Sequence, residues 1–515
     1  MESRADHDPR HTDTLAAGER LAADSAFLPF HSVVHSLWRK IGETKRGRNR
    51  MGRGRKARNP QVTLQGGKQL PDLSSRAVLS LAVPALGALI IEPLLLLIDS
   101  MMVGHLGTAS LAGLSLASTI LTTLVGIFVF LAYATTALTA RALGEGSPGK
   151  GLQAGIDAMW LALGIGGAVF ALLIFTAPQI VVWMGAGDSV QPEAVAYLRG
   201  AAFGMIPMLI ILAATGTLRG VLDMKTPLYV LAAGSAVNVA LNFLLIFALH
   251  LGIRGAGIAL SITQTLMCLA LVFQVVRKAG PYGVTFRPSS SGLHGALGAG
   301  LPLLVRTLSL RAALLATVAV ATRAGVIALA GHQVVSTVWT LAAFALDALA
   351  IAAQSLVGVA LGSGRQEALR SLVRRMTGWG VGAAALMGLV VLAGSPWIPL
   401  AFGTDPAMHV AAADALRVAG IAMPIAGAVF ILDGVLIGAS QGKFLAWMGL
   451  VTLAAYLPAL WVLQRWIETV GTLSAPQQAW ALSWLWAAFA GWFMLARAAT
   501  NAVRALSPNL GAAGA

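Results

Sequence analysis

IEPLLLLIDSMMVGHLG, Ile91 to Gly107, is the stretch whose reading decides the fold. It lies in a long apolar run that opens near Ala77, and such a run has the length of a helix crossing a bilayer core. Two acids interrupt it, Glu92 and Asp99, seven residues apart. Seven residues is about two helical turns, so the two carboxylates project from roughly one face. An ionised side chain at the centre of a membrane helix costs about 2.5–3.5 kcal/mol on insertion scales. An acid kept at that cost faces a bundle interior or a water-filled cavity, or else snorkels from a helix end. Pro84 and Pro93 lie in the same run, freeing backbone carbonyls and allowing the helix to bend.

Composition extends the membrane reading to the whole chain. Of 515 residues, 57% are hydrophobic and 11% charged, with a mean hydropathy of +0.77. Soluble globular proteins average about 25% charged residues, so this is a polytopic helical membrane protein. From Ser75 onward there are twelve apolar segments: 75–103, 108–144, 149–185, 189–221, 226–250, 255–278, 294–322, 326–362, 366–402, 407–440, 443–466 and 478–503. Short connections imply antiparallel neighbours. Cys268 is the one cysteine and sits in an apolar run, which leaves no disulfide and no cysteine-ligated metal.

The net charge of +15 resembles a nucleic-acid signal, but its distribution does not. Residues 1–76 hold 15 of the 36 Lys and Arg, many in KRGRNRMGRGRKAR, Lys45 to Arg58. Residues 1–70 read as a disordered basic cytoplasmic tail near anionic headgroups, with a weak amphipathic signal around 28–42 and Met51 as an alternative start. The other basic residues set topology. With the N-terminus cytoplasmic, inner connections and the C-tail hold 14: Arg141, Lys150, Arg219, Lys225, Arg277, Lys278, Arg287, Arg365, Arg370, Arg374, Arg375, Lys443, Arg497 and Arg504. The outer ones hold three, Arg254, Arg323 and Arg465. Both termini are therefore expected inside.

The chain repeats itself at a constant offset. ARALGEG (Ala140 to Gly146) recurs as GVALGSG (Gly358 to Gly364), and 364 − 146 = 218. Leu111-Ala112-Gly113 recurs as Leu329-Ala330-Gly331, Pro84 maps to Pro302, Gly220 to Gly438 and Lys225 to Lys443, each by 218. Two six-helix bundles follow, 72–285 and 290–505. Each has an even number of spans, so both enter from the same side as parallel repeats, with a substrate path between them.

Three polar constellations stand out. Asn238 and Asn242 are four apart in the fifth segment; with Asp99 they could hold a proton or small cation, or serve as interhelical amide contacts. Gln333, Thr340, Asp347 and Gln354 recur every seven residues in the eighth segment, forming one polar stripe. Arg306 and Arg311 in the seventh segment, with Asp347 and Asp433 in the eighth and tenth, suggest charge pairs or a polar cavity in the second half. No Walker A loop, HExxH or CxxC occurs, and the nine histidines do not cluster at metal-ligand spacing, so no enzyme is expected.

Read together, PxxG from Pro84, IDSMMVGHLG from Ile98, ATGTLRGVLDMKTPL from Ala214 and NVALNFLLIFALHLGIRGAG from Asn238 resemble the multidrug and toxic compound extrusion (MATE) family, in its DinF-like branch. The likeness covers about residues 72–505. It implies a V-shaped pair of bundles exchanging an organic compound outward for H⁺, or for Na⁺ in some branches. It also implies that Asp99 is the protonation site and that Asn238 belongs to its network. Asn242 departs from the pattern, standing where many relatives carry an acid. The resulting expectation is a monomeric, proton-coupled antiporter of amphipathic, often cationic compounds in the cell membrane, with no cofactor and no nucleic-acid partner. The alternative is a lipid-linked or polysaccharide flippase, which would favour a cationic cavity lined by Arg306 and Arg311.

Overall fold

The computed structural model describes residues 75–507 and 510, and within them the chain is helical throughout. The expected basic tail, its amphipathic segment and Met51 lie outside these residues. Eleven described helices are long and apolar enough to cross a membrane, and a bent pair supplies the twelfth span. In chain order they are α1 (Arg76–Gly104), α2 (Thr108–Gly144), α3 (Pro148–Trp183), α4 (Gln191–Ala202 with Met205–Gly220), α5 (Lys225–Ala248) and α6 (Gly252–Tyr282). The second set is α7 (Ser290–Ala324), α8 (Val326–Gly362), α9 (Glu367–Gly394), α10 (Pro406–Gly438), α11 (Gly442–Val470) and α12 (Ala475–Ala505). Large apolar side chains such as Phe175, Trp183, Phe273 and Trp447 point outward, as a lipid solvent requires.

The repeat seen in the sequence is also written in the backbone. Gly107 and Gly325 have φ of 128° and 123°, Gly146 and Gly364 have 73° and 70°, and Leu222 and Ser440 have 63° and 57°. Each pair is separated by 218 residues. Leu222 and Ser440 are informative because an L side chain rarely adopts φ > 0. Helix packing repeats as well. A Cβ on Gly216 or Gly220 would lie 2.4 Å from the Ala132 carbonyl or 2.9 Å from that of Thr136. The mates Gly434 and Gly438 press on the carbonyls of Ala350 and Gln354, which are residues 132 and 136 advanced by 218. Glycine lets α4 sit backbone to backbone on α2, and α10 on α8.

The two halves meet at one end. One apolar core runs through the first half and continues through Ala348–Ala360 of α8 and Ile431–Ala439 of α10. A second, separate core, including Ala313, Trp339, Ala419 and Trp486, fills the remainder of the second half. The halves therefore share a core at the end where α2 and α8 finish, and part company toward the other. The seam is tight: Gly362 approaches the Arg141 carbonyl and Gly144 that of Val359, each closer than a side chain would permit. This is the V expected from the sequence.

Two local departures from straight helix position the interior. α4 bends by 52° at Phe203–Gly204. Pro207 has no N–H for the Phe203 carbonyl and its ring crowds it, so the helix cannot run through. Ser261 of α6 fills the gap, accepting from the Gly204 N–H at 2.9 Å and donating to the Gly200 carbonyl at 2.8 Å. α5 passes into a π-helical turn at Phe243–Ala248, directly after Asn242.

The link between halves is clasped to α3. Asp157 accepts from both the Ser289 N–H and its hydroxyl at 3.0 Å, and the Trp160 ring N–H donates to the Phe286 carbonyl at 2.8 Å.

Candidate functional site

Asp99 faces the interior of the first bundle, 6% exposed, beside Asn238 and Asn242 at 0% and 1%. Its Oδ1 accepts from Asn242 Nδ2 at 2.7 Å. That amide also donates to Asn238 Oδ1 at 3.0 Å, and Asn238 Nδ2 donates to Thr263 Oγ1 on α6 at 3.4 Å. The i, i+4 spacing puts both asparagines on one face of α5, and the chain ties α1, α5 and α6 together. Three of the residues singled out from sequence are thus brought into one network. Thr263, with no spacing signal of its own, completes it.

Beside this network is a cavity of about 90 Å³ among α1, α2, α4 and α6, lined in part by Glu92, Asp99, Ser118, Thr122, Tyr197 and Gln264. Hydroxyls of Ser118, Thr122 and Tyr197 line it, yet Gln264 Oε1 in its wall and Asn242 Oδ1 in the network beside it are buried without a hydrogen-bond partner among the described residues. An ionised Asp99 can only accept. A site with surplus acceptors suits a species that brings protons or positive charge.

The repeat shows how one-sided this site is. Advancing Asp99 and Asn238 by 218 gives Thr317 and Tyr456, which hydrogen-bond to each other at 2.8 Å, and Asn242 maps to Leu460. Asp99 bonds to Asn242 and not to Asn238, so the second half does not copy the contact: neutral hydroxyls meet at two of the three positions and an apolar side chain holds the third.

The second-half candidates do not line a single cavity. Asp433 of α10 accepts from the guanidinium groups of Arg306 on α7 and Arg497 on α12, both through Oδ2, while Asn501 Nδ2 donates to Oδ1 at 2.6 Å. Arg497 therefore does not belong with the cytoplasmic tail charges. It is buried in the bundle, and the count of inner basic residues becomes 14 − 1 = 13 against three. The sequence signal was available: Arg497 and Asn501 are four apart on one face of an apolar run. A buried acid held by two arginines and an amide is a clamp between three helices.

Asp347 sits elsewhere, half-buried on α8, where the charges of Arg306, Arg219 and Asp433 reach it. Arg219 ends α4, so this meeting spans both halves, a role its place beside a connection did not suggest. Gln354 also crosses the seam, donating to the Tyr133 carbonyl of α2 at 2.8 Å. Gln333 and Thr340, nearer the open end, are exposed. The polar stripe of α8 thus runs from open cleft to closed seam. Arg311 is exposed, has no hydrogen bond or ion pair among the described residues, and its guanidinium rests on Gly126 of α2 in the other half. Among the described residues, no three His, Cys, Asp or Glu side chains gather as a metal site would require.

Comparison with known proteins supports the repeated helical fold. The MatE family model matches twice, over residues 84–244 and 302–462, again 218 apart. Protein DETOXIFICATION 44, chloroplastic, of Arabidopsis thaliana is 28% identical over 402 residues, covering 75% of this chain and 76% of its own length. DNA damage-inducible protein F of Escherichia coli (strain K12) is 29% identical over 379 residues, covering 72% and 81%. A crystal structure of MATE in the bent conformation superposes with a TM-score of 0.75 at 20% identity, over 84% of this chain and 95% of that one.

Proposed function

The chain belongs to the MatE family, whose members are membrane transporters and not enzymes, and from that premise we propose that it is a proton-coupled exporter of amphipathic, cationic organic compounds from the cytoplasm. The observation that carries the reading is Asp99: a carboxyl buried at membrane depth, held by one amide, beside a cavity with unpartnered acceptors.

The direction follows from charge. The closed end carries Arg141, Lys150 and Lys443, so the positive-inside rule puts it in the cytoplasm and opens the cleft to the outside. Both termini are then cytoplasmic, and the membrane is the cell membrane. A proton arriving from outside neutralises Asp99 and weakens its hold on the Asn242 amide, because a charge-assisted bond becomes an ordinary one. Pro84 and Pro93 leave the carbonyls of Ser80 and Leu89 without their helical donors, so α1 can bend in response. Cargo then leaves outward, and the proton is released inside after the halves reverse. One proton entering down 100 mV supplies about 2.3 kcal/mol, but a monovalent cation leaving costs the same, so in one-for-one exchange the pH difference concentrates the cargo, about tenfold per pH unit.

The flippase reading needs Arg306 and Arg311 together in the cleft, and Arg306 is committed to Asp433. The test is dye export from vesicles holding the purified protein, driven in turn by an imposed pH gradient and by a Na⁺ gradient. Export driven by pH alone supports the proposal. Export driven by Na⁺ alone would assign the same site to a different ion.

A further inference from the structure

Inside the second bundle, the clamp on Asp433 has more donors than acceptors. Arg306 of α7 and Arg497 of α12 each give an N–H to Asp433 Oδ2. The Arg306 Nε–H is buried with no hydrogen-bond partner among the described residues, and Arg497 Nη1 reaches only the thioether of Met494, at 3.9 Å. Thr452 of α11 and Thr500 of α12 stand beside them, and their hydroxyl protons go to carbonyls of their own helices. The charges are unequal too. Arg306, Arg497 and the more distant Arg219 face only Asp433 and Asp347, so one positive charge stays unbalanced. Both arginines, Asp433 and Asn501 border one cavity of about 10 Å³, lined by helices α7, α10, α11 and α12. The repeat packs without this cluster: stepping back by 218 from Arg306, Asp433 and Arg497 gives Ala88, Thr215 and Ala279. A surplus charge at membrane depth that the fold does not require needs a counter-ion.

We propose that this cavity binds one small monovalent inorganic anion, with the size and charge of chloride. A water molecule could accept from the Arg306 Nε–H, but it would leave the charge unbalanced. The cavity has room for a single particle near the size of water, which excludes sulfate, phosphate and organic carboxylates. Chloride is somewhat larger than water and enters with a small shift of the guanidinium groups. It accepts from N–H groups that Asp433 leaves unused, so carboxylate and halide share the two arginines. The bound ion ties α7, α10, α11 and α12 together from within. It lies outside the Asp99 network, and the site does not depend on the export reading.

Thermal unfolding of the purified full chain in detergent tests the site, with chloride replacing gluconate at constant ionic strength. The wild-type Tm should rise and level off as chloride is added, and bromide should act in the same way. Arg497→Gln removes the surplus charge and should abolish the saturable rise. Asp433→Asn has the opposite effect on charge: its Tm should level off at about tenfold less chloride, the equivalent of about 1.4 kcal/mol in affinity. A second measurement needs no variant. Anomalous scattering from wild-type crystals grown in bromide should place one ion between Arg306 and Arg497. A wild-type Tm that responds equally to chloride and gluconate, an undiminished rise in Arg497→Gln, or bromide absent from the cavity would overturn the proposal.

Discussion

At the residue scale, two buried aspartates in apparently similar settings have opposite characters. Asp99 is held by one amide, whereas Asp433 has two guanidinium groups and an amide around it. Asn242→Asp should therefore retain export while changing its pH profile, because a second carboxyl within hydrogen-bond reach would share the proton with Asp99. The rate of pH-driven dye export, measured across external pH, checks this. Asp433→Asn should instead act on stability, leaving two buried arginines short of an anion at about 3–5 kcal/mol. Thermal unfolding in detergent would report it as a fall in Tm, and adding Arg497→Gln should recover part of the loss. Asp99 was legible in the sequence because an acid in an apolar run is costly, and its asparagine partners were legible from their spacing. The clamp on Asp433 was not, because Arg497 lies near the end of the last apolar run and reads there as a topological charge.

At the element scale, the 218-residue offset was legible in full, since it requires only identities at a constant distance. The 52° bend in α4 was not, because residues 189–221 form one apolar run in which only Gly204 and Pro207 mark the break. The connection from α4 to α5 shows how such corners are fixed. Partial burial alone would raise the Asp223 carboxyl, but hydrogen bonds from Lys278 and Thr226 outweigh it and hold the group below the ordinary carboxylate range. A depressed acid contributes stability in full above its unfolded value of about 3.9 and loses it as pH falls through the lower folded value. Asp223→Asn should therefore lower Tm slightly at pH 7, by an amount worth no more than about 1 kcal/mol for so exposed a pair. The difference from wild type should stay constant between pH 5 and 8 and narrow only under strong acid. Any pH dependence of transport near neutrality must then arise elsewhere.

At the scale of the whole molecule, two bundles share a core at the closed end and separate toward the other. The twelve spans, the parallel repeat and the family were legible from pattern alone. Which end closes was not, because it depends on contacts between α2 and α8 that no local periodicity encodes. Alternating access requires that seam to open. Gly362→Val, whose Cβ would lie 2.1 Å from the Arg141 carbonyl, should prise the seam apart and stop export; export at the wild-type rate would mean that the halves need not close there. The claim that organises all of this is that proton binding at Asp99 drives the cycle. It is tested most directly by Asp99→Asn, which fixes the neutral state, in vesicles exporting a cationic dye under an imposed pH gradient. The account expects the variant to be recovered as folded full-length protein and to show no gradient-driven export. Export at the wild-type rate would contradict it and remove Asp99 from the mechanism.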